Sequence, residues 1–196
     1  INSDEARLGS VDSTINIIDS IDLLQNSKKN YKCERFIYIS SSMVYGDFQT
    51  NTVNENSPKN PKDIYGIMKL AGEIVTEGVC KLKKVPFTII RPSAVYGPTD
   101  MNRRVSQIFI ENAFTNKEII IEGKNEKLDF TFIEDLAKGC VLAGTKKQGI
   151  NQIFNITYGK GQSLYSYVLN LKKLIPNLNY KIKPRDKTKP SRGTLS

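Results

Sequence analysis

The chain has 196 residues, 39% hydrophobic and 25% charged, with a net charge of +9, which is enough apolar material for a sizeable core and ordinary for a folded protein in water. It has no histidine, which excludes a Ser-His-Asp triad, a Cys-His dyad and any His-ligated metal, and leaves proton transfer to Tyr, Lys, Asp, Glu or Cys. No apolar run approaches the ~18 residues of a membrane span, the first residues show no signal-peptide pattern, and the scattered Cys33, Cys80 and Cys140 read as reduced thiols of a cytoplasmic protein.

In chain order, STINIIDSIDLLQNS (13–27) places Ile17, Ile18, Ile21 and Leu24 at helical spacing, with Ser13 as its cap. RFIYISSS (35–42) reads as a short buried strand ending in serines, and the Asn- and Pro-rich 46–63 as a loop. Asn60 and Pro61 then suit a helix N-terminus, for a helix running to about Lys83. PFTIIRPSAVYGP (86–98) is a second buried strand closed by Gly97 and Pro98. Helix alternating with strand predicts a parallel sheet, whose ligands sit outside the C-terminal strand ends, where SSSMVYG and RPSAVYG fall.

Beyond a boundary near Pro98–Met101 the rhythm changes. The pattern predicts helices over 103–116, 134–146 and 163–175 (capped by Ser163), and strands over 118–123, 128–133, 152–157 and 179–184. Cys80 and Cys140 fall on helices as core residues, Tyr45 and Tyr96 as packing residues, and Asn155 as a strand-end hydrogen-bonding residue. Asp129 and Asp135 read as residues that orient backbone and cap a helix. Between Lys172 and Arg192 there are eight Lys or Arg against one acid, Asp186. A solvated surface, a site for a small anion and a nucleic-acid patch all fit that run, the last least, because Tyr180 is its sole aromatic residue.

The helix after Pro61 carries Tyr65 and Lys69, four apart and hence on one face. Both could be plain surface residues. Alternatively, the ammonium favours the ionised phenol and makes Tyr65 an acid and base for a substrate hydroxyl, with Ser41, at the nearby strand end, bonding the same hydroxyl.

ISSSMVYGD, then YGIMKLAGE, then RPSAVYGP, then LDFTFIEDLAKG together resemble the extended short-chain dehydrogenase/reductase family, specifically its NAD-dependent epimerase/dehydratases acting on nucleotide sugars. The resemblance runs from about residue 10 to the C-terminus. It implies an α/β fold: part of a Rossmann-like parallel sheet, its second half, in residues 1–98, and mainly a smaller α/β substrate-binding lobe in 99–196. It implies Ser41 as the catalytic hydroxyl, Tyr65 as the acid/base and Lys69 as the residue that also holds the nicotinamide ribose. Ser93 falls where the family lines the nicotinamide pocket. NAD is the implied cofactor, a nucleotide sugar the implied substrate, and a homodimer a possible assembly.

Four departures qualify the resemblance. No G-x-x-G-x-x-G phosphate loop occurs, so the chain is expected to be a fragment without the Gly-rich N-terminal part, inactive by itself. The acidic residue that the family's dehydratases carry before VYG is replaced by Ser42 and Met43. Neither can protonate a leaving hydroxyl, which favours epimerisation; a reductase, a dehydratase or a non-catalytic binding module are the alternatives. Two usual phosphate contacts fall at Ala94 and Leu128. Arg103, Arg104, Lys127 and Arg192 are the candidate replacements. Arg192 leads because the family often places a phosphate-binding Arg just before a late Gly, as in SRG. Ser42, Met43, Arg104 and Arg192 are therefore the expected substrate-binding residues.

Overall fold

The computed structural model describes residues 2–27, 30–102 and 104–196. Helix α1 (Ser3–Arg7) runs through a wide turn, Leu8–Asp12, into α2 (Ser13–Ser27). Ser13 is therefore not a cap: helical turns precede it, and its hydroxyl donates to the Gly9 carbonyl at 3.1 Å. The cap is Asn2, which accepts from the Glu5 N–H at 2.9 Å while Glu5 reaches back to the Asn2 N–H, a reciprocal pairing that satisfies two helix-end donors.

Strand β1 (Phe36–Ile39) leads through a tight 3₁₀ turn, Ser42–Tyr45, to β2 (Thr52–Val53) and α3 (Ile64–Leu82). Helix α3 starts at Asp63 rather than Asn60. The Asp63 carboxylate accepts from the Gly66 N–H at 2.7 Å, and an ionised acceptor so placed outweighs the weaker Asn-Pro start signal. After β3 (Phe87–Pro92) and β4 (Val95–Tyr96) come α4 (Val105–Phe114), β5 (Ile119–Glu122), β6 (Lys127–Leu128) and β7 (Thr131–Phe132). Helix α5 (Ile133–Thr145), β8 (Gln152–Ile156), β9 (Gln162–Ser163), α6 (Leu164–Leu174), β10 (Tyr180–Lys183) and β11 (Thr194–Leu195) complete the chain.

The strand expected over 128–133 is broken in two. β6 pairs antiparallel with β9 and β7 pairs parallel with β4, and between them Asp129 turns its carboxylate inward to collect backbone donors. Ser163 caps α6, accepting from the Ser166 N–H at 3.1 Å. Asp135 caps nothing: it lies inside the first turn of α5, exposed, with Lys138 at 3.7 Å.

β1, β3 and β8 form a parallel sheet in that order, with Ile39 beside Ile90 and Ile89 beside Ile153. β3 is central, and Phe87 to Arg91 are all buried, as a strand covered on both faces must be. β8 enters this sheet from well beyond residue 98. Beneath α2 and α3 lies one core, with Ile18, Tyr38, Cys80, Phe87 and Ile89. A second core joins α4, β5 and α6 through Phe109, Ile119, Ile121, Leu164 and Val168. Cys80 is buried and Cys140 half-buried, both free thiols. Among the described residues no helix is long and apolar enough to cross a membrane.

Candidate active site

The parallel pairing of β1 and β3 brings their C-terminal ends side by side, where ligands of such sheets gather. The Ser40 N–H donates to the Ile90 carbonyl at 2.7 Å. Ser41, still extended, accepts from the Met43 N–H at 3.2 Å and so starts the 3₁₀ turn. Gly46 ends that turn at φ 66°, and a Cβ there would come within 1.8 Å of the Asn60 carbonyl; only glycine permits this approach. The approach presses the VYG turn against the segment that leads into α3.

Tyr65 stands in the first turn of α3, 39% exposed. The Lys69 ammonium, one turn on, lies 5.7 Å from the Tyr65 ring centre and 5.4 Å from that of Tyr38. Its hydrogen bond goes to the Ile39 carbonyl at 2.9 Å, so the lysine is tied to the end of β1 and reaches the tyrosine through its field. Burial holds the Lys69 amine below its ordinary pKa.

One further turn on, Glu73 is buried. It accepts from Arg91 Nε at 2.8 Å and from the terminal guanidinium nitrogen at 2.6 Å, and also from the Ser40 hydroxyl. Arg91 also donates to the Tyr45 hydroxyl at 2.8 Å, which donates in turn to Asn155 at 2.8 Å. Burial alone would depress the Arg91 guanidinium, but the hydrogen bonds and charge of Glu73 leave it above its usual pKa. Sequence reasoning missed Glu73 and Arg91. The available signal was the four-residue ladder Tyr65, Lys69, Glu73 on one helix face.

A cavity of about 590 Å³ is lined by Ser41, Ser42, Met43, Tyr65 and Lys69 together with Arg104 and Arg192. The Ser42 hydroxyl is buried without a hydrogen-bond partner. Ser93 does not reach the cavity among its lining residues. Pro92 and Ala94 do, while the Ser93 hydroxyl is buried beside them, also unpartnered. Arg104 donates to the Val95 carbonyl at 3.1 Å. Arg103 lies outside the described residues.

A second cavity of about 600 Å³ adjoins the first and shares Met43, Val105, Leu128 and Arg192 with it. Ile120, Phe109 and Leu164 give it an apolar wall, and its charged rim is mixed: Arg185 pairs with Glu126 at 2.9 Å and Lys189 with Glu122 at 2.6 Å, beside Lys127. Arg192 stands at the junction. Among the described residues no hydrogen bond or ion pair reaches its side chain. Burial depresses its pKa, partly offset by the charges of Asp63 and Tyr65. The site therefore sets a phenol, a hydroxyl and an amine against a cation that lacks an ionic partner.

Residues 8–157 match the NAD dependent epimerase/dehydratase family. The chain belongs to this family. It is 34% identical over 158 residues to a protein of Methanocaldococcus jannaschii provisionally named UDP-glucose 4-epimerase, covering 78% of this chain and 50% of that one. It is 29% identical over 158 residues to human dTDP-D-glucose 4,6-dehydratase, covering 80% and 45%. Among solved structures, the UDP-glucuronic acid 4-epimerase of Bacillus cereus, in complex with UDP-glucuronic acid and NAD, superposes with a TM-score of 0.77 at 27% identity, over 91% of this chain and 58% of that one. The chain thus spans about half the length of the relatives it matches.

Proposed function

We propose that these residues form the catalytic and substrate-binding part of an NAD-dependent nucleotide-sugar epimerase. The observation that carries this reading is the convergence of Ser41, Tyr65 and Lys69 on one cavity that Arg192 also lines, shared with a second cavity that has an apolar wall. The first cavity suits a sugar, Arg192 and Arg104 its diphosphate, and the second the base. The B. cereus enzyme, a UDP-glucuronic acid 4-epimerase solved with its sugar nucleotide and NAD, supports the reading of a nucleotide-sugar substrate.

NAD, when bound, supplies the site that accepts and returns a hydride. The residues present fit its nicotinamide end: Tyr65 and Lys69 reach the cavity surface, and Ser93 stands behind it with a spare hydroxyl. Tyr65 takes the proton of the sugar hydroxyl as its carbon is oxidised, and gives it back after the keto sugar has turned. Ser41 hydrogen-bonds the same oxygen. Lys69, whose ammonium lies 5.7 Å from the Tyr65 ring centre, is the residue to hold a ribose. Met43 and Ser42 supply no acid for expelling a hydroxyl, which separates this chain from the dehydratases among its relatives.

Residues up to about 98 form the cofactor-side wall and 99–196 mainly the substrate lobe, with β8 returned to the first sheet. Ile17 and Leu24 on α2 and Ile67 and Ile74 on α3 are exposed at seven-residue spacing, an apolar face suited to a homodimer through both helices. Three free thiols suit a reducing, cytoplasmic setting.

The test is product analysis by NMR and mass spectrometry in the enzyme with its dinucleotide half complete. A UDP-sugar should give an epimer of unchanged mass; a product lighter by one water would overturn the reading. Tyr65→Phe should slow turnover about 10²–10⁴-fold and leave UDP binding intact. The 196-residue chain has no Gly-rich phosphate loop, so calorimetry on it should show no micromolar NAD binding.

A further inference from the structure

Arg192 rides on a strap, residues 185–196, fastened on both sides of it. Before it, the Ser191 N–H donates to the Asp47 carboxylate at 2.8 Å, and the Phe48 N–H donates to the Ser191 carbonyl at 2.9 Å. After it, Thr194 N–H donates to the Asn51 carbonyl at 3.0 Å and Ser196 N–H to the Val53 carbonyl at 2.9 Å, so that β11 lies parallel to β2. Leu195 is 1% exposed and packs on Val44, Tyr45 and Val53. Those fastenings tie the strap to the first lobe. To the second lobe it is tied through the side chains of Arg185 and Lys189, which pair with Glu126 at 2.9 Å and Glu122 at 2.6 Å, through the Gly161 N–H, which donates to the Thr194 hydroxyl at 2.9 Å, and, beside Arg192 in the buried part of the strap, through Asp129.

Asp129 is fully buried, with no cation paired to it among the described residues. Its carboxylate accepts from the Leu195 N–H at 3.1 Å, the Gly159 N–H at 3.2 Å and the Thr157 hydroxyl at 3.4 Å; the Lys160 backbone adds a fourth donor. An ionised carboxylate is tolerable there because each lone pair finds a donor. Those donors come from the loop after β8 and from the strap, so one side chain holds both in register. Gly193, next to Arg192, shows how tightly the strap is seated: a Cβ there would lie 2.5 Å from the Asn51 carbonyl.

We propose that Asp129 is a positioning residue for anion binding: by clasping the strap at Leu195 and the loop at Gly159, it holds Arg192 at the junction of the two cavities. This rests on the reading of Arg192 as a diphosphate contact. Among the described residues Arg192 has no hydrogen-bond or ion-pair partner to fix it, so its place in the cleft depends on the backbone that carries it. Asp129→Asn keeps the volume and replaces one acceptor by a donor, which cannot serve both the Leu195 and Gly159 amides.

The test is calorimetry with UDP on the 196-residue chain, paired with amide hydrogen exchange. Arg192→Ala should weaken UDP about thirtyfold, and Asp129→Asn about tenfold. The double variant should bind no more weakly than Arg192→Ala alone, since a misplaced arginine and a missing one fail in the same way. The Leu195 and Gly159 amides should exchange faster in Asp129→Asn and keep their protection in Arg192→Ala. Gly193→Ala displaces the strap without touching Asp129, and should reproduce both the weaker binding and the non-additivity even if Asp129→Asn folds poorly. Unchanged UDP affinity in Asp129→Asn and Gly193→Ala, or additive losses with Arg192→Ala, would overturn the proposal alone. Unchanged affinity in Arg192→Ala would overturn the diphosphate reading, and the proposal with it.

Discussion

Arg91 and Arg192 are both withdrawn from water, and the fold treats them in opposite ways. Arg91 is 0% exposed and clamped two-handed by Glu73, and it also donates to the Tyr45 hydroxyl and the Glu55 carbonyl. Arg192 is partly buried and has no hydrogen bond or ion pair among the described residues, although Asp63 and Tyr65 lie within reach of its field. A buried charge paired to a carboxylate and bonded on each of its nitrogens is part of the frame. One held near an open cavity without a counter-ion has its donors in reserve for something that arrives. On the function proposed above, the difference separates the wall that stays rigid under Tyr65 and Lys69 from the wall that would meet a ligand.

Breaking the first wall should have the largest effect. Glu73→Ala strands Arg91 in the interior, and removing one partner of a buried pair costs about 3–5 kcal/mol. Denaturant unfolding of the 196-residue chain should show that loss, with little change in slope. Replacing both members at once, as Glu73→Gln with Arg91→Met, should cost much less, because no charge is left uncompensated. A loss under about 1 kcal/mol in Glu73→Ala would mean that Arg91 finds water or another acceptor, and would erase the contrast with Arg192.

The two arginines also mark what the sequence could and could not tell. The parallel sheet, the order of its elements and the face shared by Tyr65 and Lys69 were legible because they rest on local periodicity and turn chemistry. Ser41, Met43, Tyr65 and Lys69, which line one cavity with Arg104 and Arg192, stood out through two of the family motifs and the two arginines as candidate replacements for missing phosphate contacts, but their geometry was not legible. Arg91 sits inside RPSAVYG and reads as an ordinary strand residue; its pairing with Glu73 crosses 18 positions, and no local pattern carries it. The helix start moved from Asn60 to Asp63 because two capping residues compete within one turn. The strand over 128–133 split because Asp129 answers donors from residues 157–160 and 195, far away in sequence. Ser93 looked like a pocket residue, yet its hydroxyl points at no partner and its neighbours reach the cavity instead.

The rigid wall has a second, smaller signature in alkaline solution. Burial pushes the Cys80 thiol and the Tyr38 phenol up to about 12, and both belong to the core under α2 and α3. In the unfolded chain the thiol ionises near about 8.5 and the phenol near about 10. Over those windows the native state holds protons that the unfolded state has lost, so stability should fall as pH rises from about 8.5 toward 12. Lys69 acts in the opposite sense: its depressed pKa means the native amine deprotonates first, which adds stability as pH climbs toward about 10.4. The thiol window opens first. The unfolding free energy from urea titrations should therefore drop by about 1–2 kcal/mol between pH 8 and 10, and Cys80→Ala should flatten that early slope while leaving the later phenol-driven fall. A flat profile in the parent chain would mean that water reaches this core.

The smallest expected effect is the sharpest test of the contrast. Arg192→Met removes a charge that no carboxylate pairs with, and keeps most of the side chain's length and apolar stem. Nothing in the frame loses a hydrogen bond, because the strap is fastened through the backbones of Ser191, Thr194, Leu195 and Ser196. The change should therefore leave unfolding free energy within about 0.5 kcal/mol of the parent, or raise it slightly by sparing a desolvated cation. Raising the salt concentration should narrow even that difference if the charge is felt by Asp63 through solvent. Thermal and urea unfolding, run beside Glu73→Ala, provide the measure. A loss of more than about 2 kcal/mol would place Arg192 with Arg91 in the frame, and the unpaired cation would then be a structural residue whose partner had been overlooked.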